Sequence, residues 1–396
     1  MEDRKGRLFL RLCLSGFLAF LSYSLSRFPV IPLYAESLGV GPKAIGLIVA
    51  ASTITGICGK FLSGGLSDIY GRRRLLIAGL LVFAFAPFLY LLVNGYISLL
   101  VIRFIHGSAT AIFGPVVSAI ISDIVEKERR GERLATYSSA AMVGNTIGPW
   151  LGGILISAGG FTYPFVASGI AGIAALISIF RWPETIHKAA RGDLSTVKGR
   201  LIDGLREVVS NLSILGASIT QALQFFATGA IEGFLPIYAK QVAGLKPWQI
   251  GFLFGVQTVS TLMARPIMGA MSDRVGRRPQ IIAGLLCGAS IIWMIPHIKI
   301  FYGLISLVVI YGLAVAVVIS ATPPLITDLC KRHNYGSAHG LFGTITDMGH
   351  AGGPIVAGLL VADFGYSVAF GFFSIGLLFA GIFFFVAVKE VNNRQY

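Results

Sequence analysis

The sequence has little charge, few acidic residues and few cysteines. Only 13% of its 396 residues are charged, about half the share found in soluble domains, which excludes an ordinary water-soluble fold. Acidic residues number 18, against 32 Lys and Arg. The cysteines show neither metal-ligand spacing nor a disulfide framework, so we expect small packing residues. They are Cys13, Cys58, Cys287 and Cys330.

Motifs for catalysis and nucleotide binding are missing as well. No stretch reads G-x-x-x-x-G-K-[ST], the loop that cradles ATP phosphates. The sequence also has no nucleophile–base motif, metal-binding cluster or large soluble domain. We therefore predict a protein that is not an enzyme, holds no cofactor or metal, and takes no energy from ATP.

Long apolar runs are abundant, and hydrophobic residues make up 55% of the chain. Twelve runs approach or exceed the ~20 residues that cross a bilayer as a helix, which predicts an all-α membrane protein. The apolar stretch behind the basic start Met1–Arg7 is too long for a signal peptide, so we expect an uncleaved first span. The runs cover residues 8–34, 43–66, 75–94, 96–121, 134–158, 161–182, 211–238, 248–271, 280–298, 300–326, 337–361 and 366–388.

The chain is one unit written twice. GKFLSGGLSDIYGRRRLL at residues 59–76 returns as ARPIMGAMSDRVGRRPQI at 264–281, and the same offset of 205 pairs Asp123 with Asp328. The repeat predicts two pseudo-symmetric six-helix bundles. Their expected bounds are residues 1–182 and 211–396, joined by a polar linker at 183–210 that contains a short amphipathic helix.

Basic residues are concentrated on one side of the predicted membrane. Both repeated loops, the linker and the two termini share that side, so the positive-inside rule makes it cytoplasmic. The net charge of +14 is then a topology signal and not a nucleic-acid footprint. We expect a multi-pass protein of the cell membrane with both termini inside. Only Lys43, Lys240, Lys246 and Lys299 fall in the opposite loops.

Three motifs occur in order in the first half. They are GLSDIYGRR at residues 65–73, LVIRFIHG at 100–107 and GNTIGPWLGG at 144–153. With the repeat, they make the chain resemble transporters of the major facilitator superfamily, and within it the twelve-span drug:proton antiporters. The resemblance implies the superfamily fold, alternating access, a small-molecule substrate and energy from a proton gradient.

The repeated loop and the fifth-span motif are predicted to control conformational change. Gly71 permits a tight turn, and the resemblance implies that Asp68 latches the two halves together. Glycines on one face of the fifth span let another backbone approach, and Pro149 interrupts its hydrogen bonds. The gating set is Asp68, Gly71, Arg72, Arg73, Asp273, Gly276, Arg277, Arg278, Gly144, Gly148, Pro149, Gly152 and Gly153.

Charged residues at membrane depth are costly and usually functional. Asp347 and Glu232 are the acids that fall well inside predicted spans. We rank Asp347 first for proton coupling, because no cation in its own helix holds it ionised, and Glu232 second. His350 shares a helix face with Asp347, as His106 does with Arg103. The coupling set is Asp347, Glu232, His350, Arg103 and His106.

Arg27 and Glu232 lie at matching depths in symmetry-related spans, so we expect them to pair across a central cavity. Aromatic and amide residues would form an amphipathic wall for substrate, although for each residue taken separately ordinary interhelical packing is the better explanation. The candidate substrate-binding set is Arg27, Tyr23, Asn145, Gln221, Gln224, Phe225, Phe226, Gln257 and Trp293.

The expected function is export of a small amphipathic or cationic compound in exchange for protons, by a monomer. Arg27 and Arg103 keep open a symporter or facilitator for an anionic metabolite. A membrane sensor or membrane enzyme is a third class, which transport in proteoliposomes would test. The substrate itself does not follow from fold and motif.

We expect Asp68→Asn to abolish transport while the protein still inserts and folds, because the change removes a charge at a gate and no core contact. Transport by purified protein in proteoliposomes is the measurement. Full turnover by this variant would contradict the latch.

Overall fold

The computed structural model describes residues 2–180, 182, 211–330 and 335–388. Side chains are described outside residues 2–5, 60–70, 127 and 335–337. The predicted linker at 183–210 falls outside the described residues, so its amphipathic helix stays a prediction.

The regular structure of the described residues is entirely helical and comprises twelve α-helices. In chain order they are α1 (Glu2–Leu25), α2 (Val30–Ser37), α3 (Pro42–Tyr70), α4 (Arg72–Leu89), α5 (Tyr96–Ile124), α6 (Arg130–Gly159), α7 (Thr162–Ile179), α8 (Leu212–Gln241), α9 (Pro247–Val275), α10 (Arg277–Met294), α11 (Phe301–Leu329) and α12 (Tyr335–Ala387). Short 3₁₀ turns follow α4, α5 and α10, at Tyr90–Leu92, Lys127–Arg129 and Ile295–His297.

The helices confirm the predicted fold class. Eleven stretches of the described chain are long and apolar enough to span a membrane. The last of them, Ala338–Ala387, contains Gly365 with a φ of 82°, which separates two helices inside α12. The described residues therefore hold the twelve spans that the hydropathy pattern predicts.

The first span is broken, which the apolar run at 8–34 does not reveal. Helix α1 ends at Leu25 and α2 begins at Val30, with a turn at residues 26–29 that contains a cis Phe28–Pro29 bond. Proline lacks an N–H and disfavours helical geometry in the residue before it. Arg27, predicted inside a continuous span, therefore lies on this turn.

The described residues form two compact units. The first comprises those of Met1–Asp193 and Lys246–Gly255, and the second those of Leu194–Leu245 and Val256–Tyr396. The beginning of α9 thus belongs to the first unit and the rest of it to the second.

Glycines set the helix packing inside each unit, and they do so at equivalent positions. A Cβ at Gly144 of α6 would overlap the carbonyl oxygen of Phe17 in α1. In the second unit, a Cβ at Gly349 of α12 would overlap the carbonyl oxygen of Ala222 in α8. Both residue pairs are related by the offset of 205, so the duplication is present in backbone packing as well as in sequence.

A second glycine contact repeats in the same way. A Cβ at Gly107 of α5 would lie 2.6 Å from the Cα of Ser52 in α3. A Cβ at Gly312 of α11 would lie 2.6 Å from the carbonyl oxygen of Gln257 in α9. Small residues are the usual means of bringing membrane helices close, since apolar side chains gain little by leaving lipid.

We expect Gly144→Ala to destabilise the purified protein by about 1–3 kcal/mol, the usual cost of overpacking. Its methyl group would meet backbone that cannot rotate away. Gly114→Ala in α5 is the matched control, because a Cβ there has no neighbour within 4 Å. Thermal unfolding in detergent compares them, and equal midpoints for the two variants would contradict the packing argument.

Candidate functional site

The two copies of the basic loop form the same turn. Gly71 joins α3 to α4 with a φ of 90°, and Gly276 joins α9 to α10 with a φ of 100°. Side chains other than that of glycine are strained at such positive values. Each glycine places an arginine at the first position of the helix that follows.

Those arginines pair with an acid of a neighbouring helix in the same unit. Arg72 lies 2.5 Å from Asp123 at the end of α5, and Arg277 lies 2.6 Å from Asp328 at the end of α11. Arg277 also reaches Asp273 at 3.5 Å. The internal repeat relates Asp123 to Asp328, but the sequence alone does not predict that either acid pairs with an arginine of the loop.

The remaining gating candidates on the loops are described in part. Asp68 lies in helix α3, but its side chain is outside the described residues, so the predicted latch stays untested. Arg278 stacks on the ring of Phe385 at 4.6 Å and donates a hydrogen bond to the carbonyl oxygen of that residue. Asp273 is largely exposed.

The sequence predicts that the fifth-span glycines share one helix face, and the structure shows that this is wrong for one of them. A Cβ at Gly152 would lie 2.8 Å from the Leu25 carbonyl oxygen, so this residue contacts α1 as Gly144 does. Gly153 instead contacts the beginning of α9 within the first unit, where its Cβ would lie 2.7 Å from the Cα of Gly251. Two surfaces of α6 are therefore in close backbone contact.

A buried basic cluster lies inside the first unit. Arg103 is 1% exposed and donates hydrogen bonds to the Ile48 carbonyl oxygen, at 3.3 Å, and to the Ser52 hydroxyl. His106 is fully buried, and its Nδ1 lies 3.1 Å from the Tyr90 hydroxyl. Arg103 Nη1 and His106 Nε2 have no hydrogen-bond partner among the described residues.

Aromatic rings extend this cluster toward the break in the first span. Tyr23 packs edge-on against His106 with centroids 5.1 Å apart. The guanidinium of Arg27 lies 5.5 Å from the Tyr23 ring centroid and 4.4 Å from that of Phe28. The structure thus brings together four residues that the sequence analysis assigned to two sets, Arg27, Tyr23, Arg103 and His106.

An acid–imidazole pair lies inside the second unit. His350 Nε2 of α12 is 2.9 Å from a carboxylate oxygen of Glu232 in α8, and both side chains are mostly buried. Helical spacing alone groups His350 with Asp347, which lies one turn away on the same helix. Such a pair can hold and release a proton, because each group is an acceptor for the proton of the other.

Polar residues continue along α8 from Glu232. Gln221, Gln224 and Thr228 recur at helical spacing on this side of the helix, and Thr228 Oγ1 lies 3.0 Å from the Tyr311 hydroxyl. Gln224 is fully buried, yet neither atom of its amide has a hydrogen-bond partner within the part of the chain that the structure describes. Gln221 Oε1 also lacks one.

Unpaired buried amides are costly, and they are rare unless water or a ligand completes them. Gln257 Oε1, on the part of α9 that belongs to the second unit, is a third such group. The second unit thus carries an ionisable pair together with unsatisfied donors and acceptors.

The other predicted substrate residues have varied surroundings. Phe225 packs edge-on against His350 with centroids 5.8 Å apart, whereas Phe226 contacts Phe373 at 4.9 Å. Asn145 is exposed, and its backbone carbonyl accepts a hydrogen bond from Ser24. Trp293 is half exposed at the end of α10, beside His297.

Comparison with known proteins identifies the family. The sequence profile of the Major Facilitator Superfamily matches residues 12–301 and again 218–395. The chain therefore belongs to this superfamily of membrane transporters, which confirms the resemblance. Transporters of this class bind small-molecule substrates, and the chain is a multi-pass membrane protein.

Relatives among curated proteins span nearly the whole chain. An uncharacterized MFS-type transporter of Methanocaldococcus jannaschii, MJ1560, is 25% identical over 363 residues, which cover 91% of this chain and 93% of the relative. Multidrug resistance protein 2 of Bacillus subtilis is 24% identical over 395 residues, which cover 99% and 97%.

Solved structures share the fold. A bacterial homologue of the human lysosomal transporter Spinster, in an inward-facing and unoccupied conformation, matches with a TM-score of 0.77 and 15% identity, covering 98% of this chain and 96% of its own. The human organic anion transporter MFSD10 matches with a TM-score of 0.66 and 19% identity, covering 96% and 99%.

We expect the interaction between Arg72 and Asp123 to contribute about 1 kcal/mol to the free energy of unfolding. This value is at the upper end of what partly exposed ion pairs contribute. A double-mutant cycle with Arg72→Ala and Asp123→Ala, read by thermal unfolding, measures it. The equivalent cycle with Arg277→Ala and Asp328→Ala is the internal comparison. Strict additivity in both cycles would contradict a role for these pairs in holding the loops.

Proposed function

We propose that this transporter exports a small cationic or amphipathic compound in exchange for protons, and that Glu232 couples the two movements. The observation that carries the proposal is the 2.9 Å contact between Glu232 and His350 inside the second unit. Ionisable groups at membrane depth mark proton and substrate pathways.

The pair suits exchange because a carboxylate can hold either a proton or a cation. With Glu232 ionised, the site attracts a cationic substrate. When protons arrive from the other side of the membrane, they neutralise the carboxylate, and the attraction is lost. His350 lies within hydrogen-bond distance and offers a second place for the proton.

The unsatisfied amides support a substrate site on the same helix face. Gln224 and Gln221 lie on α8, the helix of Glu232, and offer both donors and acceptors. Phe225, beside His350, adds an aromatic surface that suits an amphipathic or cationic compound. A ligand that pairs these amides would remove the cost of leaving them buried without partners.

The relatives support export more weakly than they support the family. Multidrug resistance protein 2 is 24% identical to this chain, an identity at which substrates often differ. The proposal includes a monomer in the cell membrane with cytoplasmic termini, and the distribution of basic loops supports the orientation of the termini.

A second candidate function has its own observation. Arg103 is a buried cation with an unpaired Nη1, and a group of this kind suits the carboxylate of an anionic metabolite. One structural neighbour is an organic anion transporter. The direction in which an imposed proton gradient drives the compound separates this symport from antiport.

We expect Glu232→Gln to weaken substrate binding and to reduce its pH dependence. In the wild type, affinity for a cationic compound should rise with pH, because deprotonation of the pair creates the attracting charge. In the variant that negative charge never forms and only His350 can take up a proton, so affinity should be low and vary less with pH, and gradient-driven export should fall at least about tenfold, as expected for losing a charged hydrogen bond of about 1.5–3 kcal/mol.

Binding to purified protein at several pH values and export from proteoliposomes measure both effects. Asp363→Asn, at an exposed acid of α12, is the matched control. Asp347→Asn tests the ranking made from sequence, in which that residue comes first. Loss of pH dependence in Asp347→Asn alone would reverse the assignment, and normal export by both variants would contradict antiport.

A further inference from the structure

A cavity of about 180 Å³ lies in the first unit where α1 begins, α5 ends and α6 begins. None of its residues belongs to the gating, coupling or substrate sets above. Its lining consists of Gly6, Phe9, Ile124, Val125, Glu126, Arg129 and Arg133.

The lining combines an apolar floor with two guanidinium groups. Phe9, Ile124 and Val125 supply the floor, and the Arg133 guanidinium stacks on the Phe9 ring at 4.8 Å. Arg129 lies 3.3 Å from Glu132, but more than half of each side chain is exposed. An ion pair so open to solvent contributes little, so a bound anion can compete for Arg129.

Glu126 is the acidic member of the lining, and its side chain is exposed. Among the described residues of the lining, two arginines stand against one exposed carboxylate, so the lining itself carries a net positive charge. A ligand with a single negative charge matches this balance, and a phosphate diester carries one such charge and accepts hydrogen bonds from arginine.

Beside the cavity, α1 carries an exposed apolar stripe. Gly6, Leu10 and Leu14 recur every four residues and therefore share a face of α1. Leu10 is 69% exposed and Leu14 is 50% exposed. A Cβ at Gly6 has no neighbour within 4 Å among the described residues, so a larger side chain has room at this end of the stripe.

These features fit one kind of ligand. The basic loops lie on the side that the positive-inside rule predicts to be cytoplasmic, where anionic lipids are attracted to Lys and Arg near the surface. Free phosphate would use the arginines but not the apolar stripe. We infer that this cavity binds the headgroup phosphate of an anionic phospholipid, with an acyl chain along Leu10 and Leu14.

Thermal unfolding of the purified full-length protein in neutral detergent tests the inference. Dioctanoyl phosphatidylglycerol, dioctanoyl phosphatidylcholine and inorganic phosphate are titrated separately, and the shift of the midpoint gives an apparent affinity. The wild type should be stabilised by phosphatidylglycerol at lower concentration than by the zwitterionic lipid, and inorganic phosphate at the same concentrations should have no effect.

Two variants attack the site by different means. Arg129→Gln with Arg133→Gln should weaken phosphatidylglycerol binding by on the order of tenfold or more, given the contribution of each arginine near a membrane surface. Gly6→Phe should fill the cavity and weaken binding while both arginines remain. Arg74→Gln, at an exposed arginine of α4 that lies outside the lining, is the control for removal of a positive charge elsewhere on the protein.

Each contrary result overturns the inference. An equal effect of inorganic phosphate would make this a free-anion site. Equal loss in Arg74→Gln would mean that the lipid responds to overall surface charge. Unchanged binding in Gly6→Phe, with a normal unfolding midpoint in the absence of lipid, would show that the cavity is not where the lipid binds.

Discussion

Backbone resting directly on backbone, at a few glycines, is the contact on which each half of this protein depends. In lipid the hydrophobic effect does not drive helices together, so the free energy of helix association must come from close approach and dispersion. Gly144 on Phe17 and Gly349 on Ala222 provide that approach at positions 205 residues apart. Because the closest atoms are main-chain atoms, side chains elsewhere on these helices could diverge after duplication without disturbing the packing.

The two units differ in the polar groups that they bury. The first holds an arginine and a histidine among tyrosines, and the second holds a glutamate and a histidine among amides. His106 and Tyr311 occupy equivalent positions in the two units. The imidazole of His106 contacts the Tyr90 hydroxyl, whereas the hydroxyl of Tyr311 contacts Thr228. A shared scaffold therefore carries opposite electrostatic character in its two copies.

Much of the fold could be predicted from sequence, because span length and the internal repeat are properties of consecutive residues. The number of spans, the fold class and the family were all correct. The break at residues 26–29 was missed, since apolar character continues through it. The partner of His350 was missed for a different reason: helical periodicity tells which residues share a face, as with Asp347, but not which helix lies opposite. Gly153 shows the same limit, because its contact with Gly251 depends on the packing of α9 beside α6.

The unpaired amide of Gln224 has a consequence for the empty transporter. A buried amide that no protein group completes is completed by water whenever substrate is absent. In the proposed substrate site, water on this amide would then leave as the compound enters and return after it departs. Binding is in this respect an exchange of one set of hydrogen bonds for another, and the free energy that remains for affinity depends on how well the compound replaces the water it displaces.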